Sequence, residues 1–414
     1  MSVFDQTWSL GQLREYQLAA LNRQLQWAAE RSRFYAGLRG RSLRELDEIA
    51  ELPFTTAADL LERGGELLCL RASQVRRVVS LRSSGSGGRW KRLAFSDGDI
   101  KQTVDFFAAG MRYLCAAGQR VLICMPGAAE DGVGRLLAQG LEQLGARPLL
   151  FGPIADYQDA ARCLGEFRPH TIVGIPAQIR RLALTAPQYP PHNVLLSADR
   201  VGAVLRQAIS RLWGCAVFEH YGLTESGLGY AVECPYGSRM QTAAANGAAD
   251  GLSGGMHLRH DALYTEIVEP DGGQTLAAGQ WGEIVLTTLT RQATPLLRYR
   301  SGDWGRLLDA PCGCGSVLPR LQVAGRIDEL RQPLSVYALD DILLADDRIL
   351  DYAAVWQGDT LRLSVAGDLD TARRLLAGSY PDLPFAVEAG TGFMTRGTIK
   401  RSLRGRGGEG GAED

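Results

Sequence analysis

Leu10, Leu13, Leu21 and Leu25 recur at near-helical spacing, and Trp27 and Phe34 carry the apolar content further than a lone helix needs. This predicts a packed helical start over residues 8–37. Between about 76 and 225 the rhythm changes. Short apolar runs at 121–125, 171–175, 193–197 and 216–218 alternate with segments of helical length at 132–144 and 202–213. Strand followed by helix, repeated, predicts a largely parallel sheet covered on both faces. From about 255 to 326 the pattern becomes one of alternation. Residues 263–269 and 282–289 switch between apolar and polar, as antiparallel strands with one wet face do, which predicts a smaller β-rich part. Beyond Arg326, a strand-like run at 361–365 and a helix-like run at 370–376 make a unit too small to be the main core. The expected fold class is therefore α/β, with a large N-terminal domain over 1–326 and a small, mobile α+β lid over 327–404. Residues 405–414 are Gly- and Glu-rich and read as a disordered tail.

At 414 residues the chain can bury a large core across two or three domains. A net charge of −1 and an isoelectric point near 6.6 give no reason to expect nucleic acid or an anionic membrane as partner. No stretch reaches the ~18 apolar residues that would span a bilayer, and the start lacks a basic-then-apolar leader profile. A cytoplasmic protein acting on a small molecule is expected, with a homodimer left open.

The densest chemistry lies in His220–Gly227, H-Y-G-L-T-E-S-G, directly after the apolar run 216–218. A strand ending in an aromatic, a glycine, a hydroxyl and a carboxylate brings a flat ring, a sharp turn, an oxygen donor and a metal-capable anion to one point above a sheet. The set suits a nucleotide with magnesium, although an ordinary strand-to-loop turn also has this composition. Ser83–Arg89, S-S-G-S-G-G-R, is a turn whose N–H groups and hydroxyls can wrap a polyphosphate, with Arg89 and Lys91 adding charge. Arg298–Asp303, R-Y-R-S-G-D, packs two guanidinium groups and a carboxylate around a turn. Gly325–Glu329, G-R-I-D-E, repeats a Gly-Arg-acid pattern.

In this order and at these intervals the segments resemble those of the adenylate-forming ligase superfamily, most of all its phenylacetate–CoA ligase-like branch. The resemblance extends from the opening helix and the phrase at 52–59, L-P-F-T-T-A-A-D, to Lys400. It implies an enzyme that activates a small, aryl or arylalkyl carboxylate with ATP and Mg2+, releases pyrophosphate, and passes the acyl group to coenzyme A. It also implies roles. Ser84, Gly85, Ser86, Gly87, Gly88 and Arg89 would form the phosphate loop. Ser197, Ala198 and Asp199 with Tyr221 and Gly222 would sandwich the adenine. Thr224 would touch the α-phosphate and Glu225 would hold magnesium. Asp303 would accept the ribose hydroxyls, Arg326 would contact the ribose, and Asp328 would be the hinge of the lid.

Of the 45 basic residues only Lys91, Lys101 and Lys400 are lysines. Lys400 falls where the resemblance implies a lysine that stabilises charge during adenylation. A basic, solvated tail alongside Arg401, Arg404 and Arg406 is the alternative. Among the eight cysteines, Cys312-Gly-Cys314 stands apart, because two thiols flank a glycine on a turn. With Cys234 and His257 they would complete a Cys3His set suited to structural zinc, an arrangement that relatives in the branch resemble. A redox dithiol or inert loop cysteines are the other readings. Two departures from the family pattern bear on function. Arg89 and Trp90 replace the usual lysine and proline of the phosphate loop, and residues 331–335, R-Q-P-L-S, lack the glycine expected beside the pantetheine arm. They keep two alternatives open: adenylation with a carrier-protein, amine or hydroxyl acceptor, or a catalytically silent nucleotide- or acyl-binding relative.

Overall fold

The computed structural model describes residues 8–82, 90–238, 254–390 and 403. Helix α1, Leu10–Arg31, starts at a capping box in which Ser9 and Gln12 exchange side-chain-to-backbone hydrogen bonds. It ends as Ser32 turns extended. Its buried stripe of Ala20, Leu21, Leu25 and Ala28 packs into the main core, Leu13 packs separately on Leu318, and its buried glutamines tie it to distant backbone: Gln17 bonds His260 O and Gln24 bonds Arg291 O. After the short helix α2, Ala57–Glu62, the strands β1, Arg77–Arg82, and β2, Trp90–Phe95, pair as an antiparallel hairpin.

Helix α3, Asp97–Met111, is capped by Ser96, and its first-turn Asp99 does more than complete that cap. The Asp99 carboxylate also accepts from the backbone N–H groups of Gln292 and Ala293, so it anchors α3 to the antiparallel half of the molecule. The alternation read from the sequence follows: β3, Arg120–Cys124; α4, Val133–Gln143; β4, Arg147–Leu150; α5, Tyr157–Phe167; β5, Thr171–Gly174; α6, Pro176–Thr185; β6, Asn193–Leu196; α7, Ala203–Trp213; and β7, Ala216–Tyr221. These five strands are parallel, in the order β7-β6-β5-β3-β4. The central ones are apolar throughout because both faces are covered, with separate hydrophobic clusters on the two sides.

The β-rich part is continuous with this sheet. Strand β7 pairs antiparallel with β8, Ala231–Val232, and the sheet runs on through β9, Met256–Leu258, and β13, Arg320–Arg326. It continues to β12, Tyr299–Leu308, then β11, Gly282–Thr288, and β10, Leu263–Val268. The result is an eleven-stranded sheet among the described residues, and its parallel and antiparallel halves meet at β7 and β8. His220 and Tyr221 sit at that junction, paired with Val232 and Ala231.

The C-terminal unit contains α8, Ile327–Leu330; α9, Val336–Leu343; β14, Ile349–Gln357; β15, Thr360–Gly367; α10, Leu369–Ser379; and β16, Phe385–Ala389. Its three-stranded sheet and helices enclose their own core around Leu339, Leu343, Tyr352, Leu363 and Leu376, into which Leu205 of α7 inserts. Arg180 of α6, fully buried, donates to Ile349 O at 2.9 Å and Asp346 O at 2.9 Å. The unit is therefore docked on α6 and α7 by the Leu205 plug, by Arg180, and by outer ion pairs from Arg181 to Asp351 and from Arg211 to Asp347. Among the described residues no helix is long and apolar enough to cross a membrane.

Candidate functional site

At the carboxyl ends of the parallel strands, a groove is walled by Ala198 and Asp199 after β6, by Tyr221 at the end of β7 and Gly222 after it, by Asp303 and Arg326, and by Tyr337 of the C-terminal unit. Local folding explains each position. Ala198 takes a left-handed φ of +73°, a conformation held by its surroundings rather than by its own preference. Gly222 leaves no room for a side chain, since a Cβ there would stand 2.0 Å from Leu228 O. Gly325 is equally constrained, with φ of +138° and the Tyr337 ring where a Cβ would go.

Asp303 and Arg326 are cross-strand partners on β12 and β13. Tyr221 Oη donates to Asp303 Oδ2 at 2.6 Å, while Arg326 Nη1 donates to Asp303 Oδ1 at 3.1 Å and Ser301 O at 2.7 Å. Each carboxylate oxygen thus keeps a lone pair for a further donor, as a vicinal diol would supply. Burial and the neighbouring Asp303 charge push the Tyr221 phenol well above its ordinary pKa, so it acts as a donor.

The R-Y-R-S-G-D segment divides its labour along the strand period. Tyr299, Ser301 and Asp303 face inward on β12. The two arginines are ties. Arg298, with a left-handed φ of +46°, makes a bidentate pair with Glu266 and donates to the carbonyls of Ala50 and Leu52. Arg300 pairs with Glu283, and Phe54 lies against both guanidinium groups. The phrase at 52–59 is clamped to the site in this way.

Glu225 is buried at the turn after β7. Its Oε1 accepts from Lys91 Nζ at 3.1 Å and from Tyr299 Oη at 2.8 Å. Burial pushes this carboxyl up, but the Lys91 charge and the Tyr299 hydrogen bond outweigh it and hold the group below the usual carboxylate range. Thr224 is half-buried in the same turn, and its carbonyl accepts from Gly227 N.

Ser197 lies elsewhere. Its hydroxyl meets His220 Nδ1 at 2.8 Å, and the two residues line an apolar cavity behind the groove, beside Phe106 and Phe107 of α3. Asp328 is exposed in α8, directly after β13, at the entry to the C-terminal unit. Ser84–Arg89 and Lys400 lie outside the described residues. Sequence reasoning gave no role to Tyr299 or Tyr337. The period-2 spacing of Tyr299 with Asp303 was a usable signal for the first. The second sits on an amphipathic helix with nothing to mark it.

Cys234, His257, Cys312 and Cys314 converge, with all four ligand atoms within 4.8 Å of one another. Cys234 Sγ to Cys312 Sγ is 3.6 Å and Cys314 Sγ to His257 Nε2 is 3.3 Å. Thiolates on one tetrahedral zinc stand about 3.7 Å apart given Zn–S bonds of about 2.3 Å, so the set fits zinc with little adjustment. The imidazole is pre-oriented. His257 Nδ1 can only donate to the Leu318 carbonyl at 3.1 Å, which leaves Nε2 with the free lone pair. An ion here would pin the loop between β12 and β13 to β9.

No family model matches the chain. Among curated proteins it is 28% identical over 338 residues to a phenylacetate–coenzyme A ligase of Thermus thermophilus, covering 77% of this chain and 71% of that one. It is 29% identical to the enzyme of the same name from Pseudomonas putida, covering 78% and 73%. Among solved structures, a 2-hydroxyisobutyryl-CoA ligase in its postadenylation state superposes with a TM-score of 0.77 at 20% identity, over 94% of this chain and 88% of that one. In the thioesterification state the same ligase gives 0.67, over 96% and 91%. The chain is thus similar in sequence to phenylacetate–coenzyme A ligases and shares its fold with a 2-hydroxyisobutyryl-CoA ligase.

Proposed function

We propose that this protein is an ATP-dependent acid–thiol ligase that adenylates a small aryl or arylalkyl carboxylate and transfers it to coenzyme A, releasing AMP and pyrophosphate. The observation that carries the reading is Asp303, held between Tyr221 and Arg326 at the base of the groove with one lone pair free on each oxygen. That is a receptor for a ribose diol, and the curated relatives are phenylacetate–coenzyme A ligases.

In this scheme Tyr221 and Gly222 face one side of the adenine, and Ala198 and Asp199 the other. Glu225 is the carboxylate suited to Mg2+, which when bound neutralises charge on the triphosphate. Lys91, next to the phosphate-loop residues in sequence, exchanges its ion pair with Glu225 for one with phosphate. Thr224 is assigned to the α-phosphate, and Lys400, outside the described residues, to stabilising the charge that develops during adenylation. A carboxylate oxygen of the acid attacks the α-phosphorus, and the bond to pyrophosphate breaks. Lid rotation about Asp328 then admits the thiol, whose sulfur attacks the acyl carbon while AMP leaves with the bonding electrons. The Cys234–His257–Cys312–Cys314 set is assigned to one structural zinc, because four protein ligands leave no open position.

A second reading changes only the acceptor. Residues 331–335 contain no glycine; Arg331, Gln332 and Pro333 are exposed, while Leu334 is buried and Ser335 caps α9, so the end of the segment is fixed by packing. The test of both is product analysis with ATP, Mg2+, coenzyme A and a panel of aryl acids. Acyl-CoA with equimolar AMP is expected. Acyl-adenylate that persists unchanged in coenzyme A favours another acceptor, and ADP with phosphate contradicts adenylation.

A further inference from the structure

His220 stands near the carboxyl end of β7, in the wall shared by the nucleotide groove and the apolar cavity behind it. The cavity is otherwise hydrocarbon and aromatic, lined by Phe106, Phe107, Met111, Leu137, Val173 and Val232. Its polar groups are Ser197 and His220, and they are bonded to each other through Ser197 Oγ and His220 Nδ1 at 2.8 Å. This bond orients the ring and leaves the other nitrogen unused. His220 Nε2 is buried and has no hydrogen-bond partner among the described residues. Burial also pushes the imidazole down to about 4, so the ring is neutral near pH 7 and offers one donor or one acceptor rather than a charge.

An unpaired polar atom in an apolar cavity is destabilising, and such atoms concentrate where a ligand supplies the partner. The rings of Phe106 and Phe107 pack against the imidazole, with centroids 6.0 and 5.9 Å away at interplanar angles of 48° and 61°, and give the cavity aromatic walls suited to a flat group. An acid seated with its carboxylate in the groove and its body in the cavity passes His220 at its carboxyl-proximal end.

We propose that His220 is the specificity-determining residue of the acyl cavity, and that the acid accepted is a small flat one carrying a hydroxyl or amino group next to the carboxylate, α or ortho, to pair with His220 Nε2. This rests on the ligase reading. An acid lacking that group would expel water from the cavity and leave Nε2 unpaired. Sites built around one hydrogen bond reject the analogue lacking it far more strongly than apolar pockets reject an extra methylene.

The experiment is acid-dependent ATP–pyrophosphate exchange by the full-length protein with matched acids: benzoate, 2-hydroxybenzoate, 2-aminobenzoate and 4-hydroxybenzoate, then phenylacetate, mandelate and 4-hydroxyphenylacetate. In at least one series kcat/KM should favour a carboxyl-proximal substituent about tenfold or more over both the unsubstituted and the para acid. His220→Leu should bring that ratio to within about threefold of unity. His220→Gln, which keeps a hydrogen-bonding group and a polar surface, should retain part of the preference and stands in if the leucine variant does not fold. Wild-type preference for unsubstituted or para acids, or a preference that survives in His220→Leu, would overturn the proposal while leaving the ligase reading intact. Exchange with none of the acids would contradict the ligase reading, and the proposal with it.

Discussion

Lys91 Nζ lies 3.1 Å from Glu225 Oε1, joining residues 134 positions apart in a pair that is almost fully enclosed, with 12% of the lysine side chain and 9% of the glutamate side chain exposed. Breaking a pair of this kind leaves a buried charge uncompensated. The pair also keeps Glu225 ionised against the burial that opposes it. A carboxyl with a depressed folded-state pKa contributes stability above its unfolded value and loses it as pH falls through the folded one. Lys91→Met removes the main opposing charge, so Glu225 should then protonate at higher pH. The acid limb of the pH profile for ATP–pyrophosphate exchange should move up by about one unit or more, with a rate loss of roughly 10²-fold near pH 8. An acid limb left in place would show that Glu225 does not need Lys91.

Zinc should be present at one per chain in protein prepared without chelators. Cys312→Ser should lower the melting temperature by several degrees and reduce the zinc content, because binding at such a site is coupled to folding. Elemental analysis and a thermal melt decide this together. Full zinc occupancy in Cys312→Ser would exclude the thiol as a ligand.

Docking of the C-terminal unit depends on Arg180. Its two carbonyl contacts, at Ile349 and Asp346, are charge-assisted hydrogen bonds of a type that contributes about 1.5–3 kcal/mol per bond. Arg180→Ala should speed amide exchange across residues 346–351 and loosen the unit as a whole. Exchange at wild-type rates would mean that the Leu205 plug and the outer ion pairs of Arg181 and Arg211 hold it without Arg180.

Much of the fold was legible because it is written locally. The runs at 121–125, 171–175, 193–197 and 216–218 are apolar on both faces, and that is what buried parallel strands need. The edge strand β4 was harder to see, since half its face is wet and its four residues carry little signal. The continuity of the sheet through β8 was also hidden, because a two-residue strand has no period. At the site, the sequence pointed to Tyr221, Glu225, Asp303 and Arg326 as a group, and they do converge. It did not reveal that Lys91 and Tyr299 share one oxygen of Glu225, or that Ser197 turns toward His220. These are contacts across long sequence separations, set by strand register, and neither composition nor spacing encodes them.

Two histidines pushed down by desolvation should make stability depend on mildly acidic pH. Burial holds His220 and His260 near 4, against an ordinary value of 6.5. As pH falls below 6.5 the unfolded chain takes up protons before the folded one, so stability is full above that value and declines progressively towards about pH 4. His260, 5% exposed, should contribute roughly 2–3 kcal/mol to this decline. His260→Gln should flatten the slope of denaturant stability between pH 6.5 and 4.5. An unchanged slope would show that its titration is not linked to folding.

Asp303 offers the most direct test of the proposed nucleotide site, since its ribose contact would exist before any chemistry. The decisive measurement is ATP affinity by calorimetry in wild type and Asp303→Ala, with Mg2+ and without acid or coenzyme A. Wild-type protein should bind ATP, and the alanine variant should bind at least tenfold more weakly while retaining its fold by circular dichroism. Equal affinity in the two proteins, or no ATP binding by the wild type, would contradict the assignment of this groove to ATP.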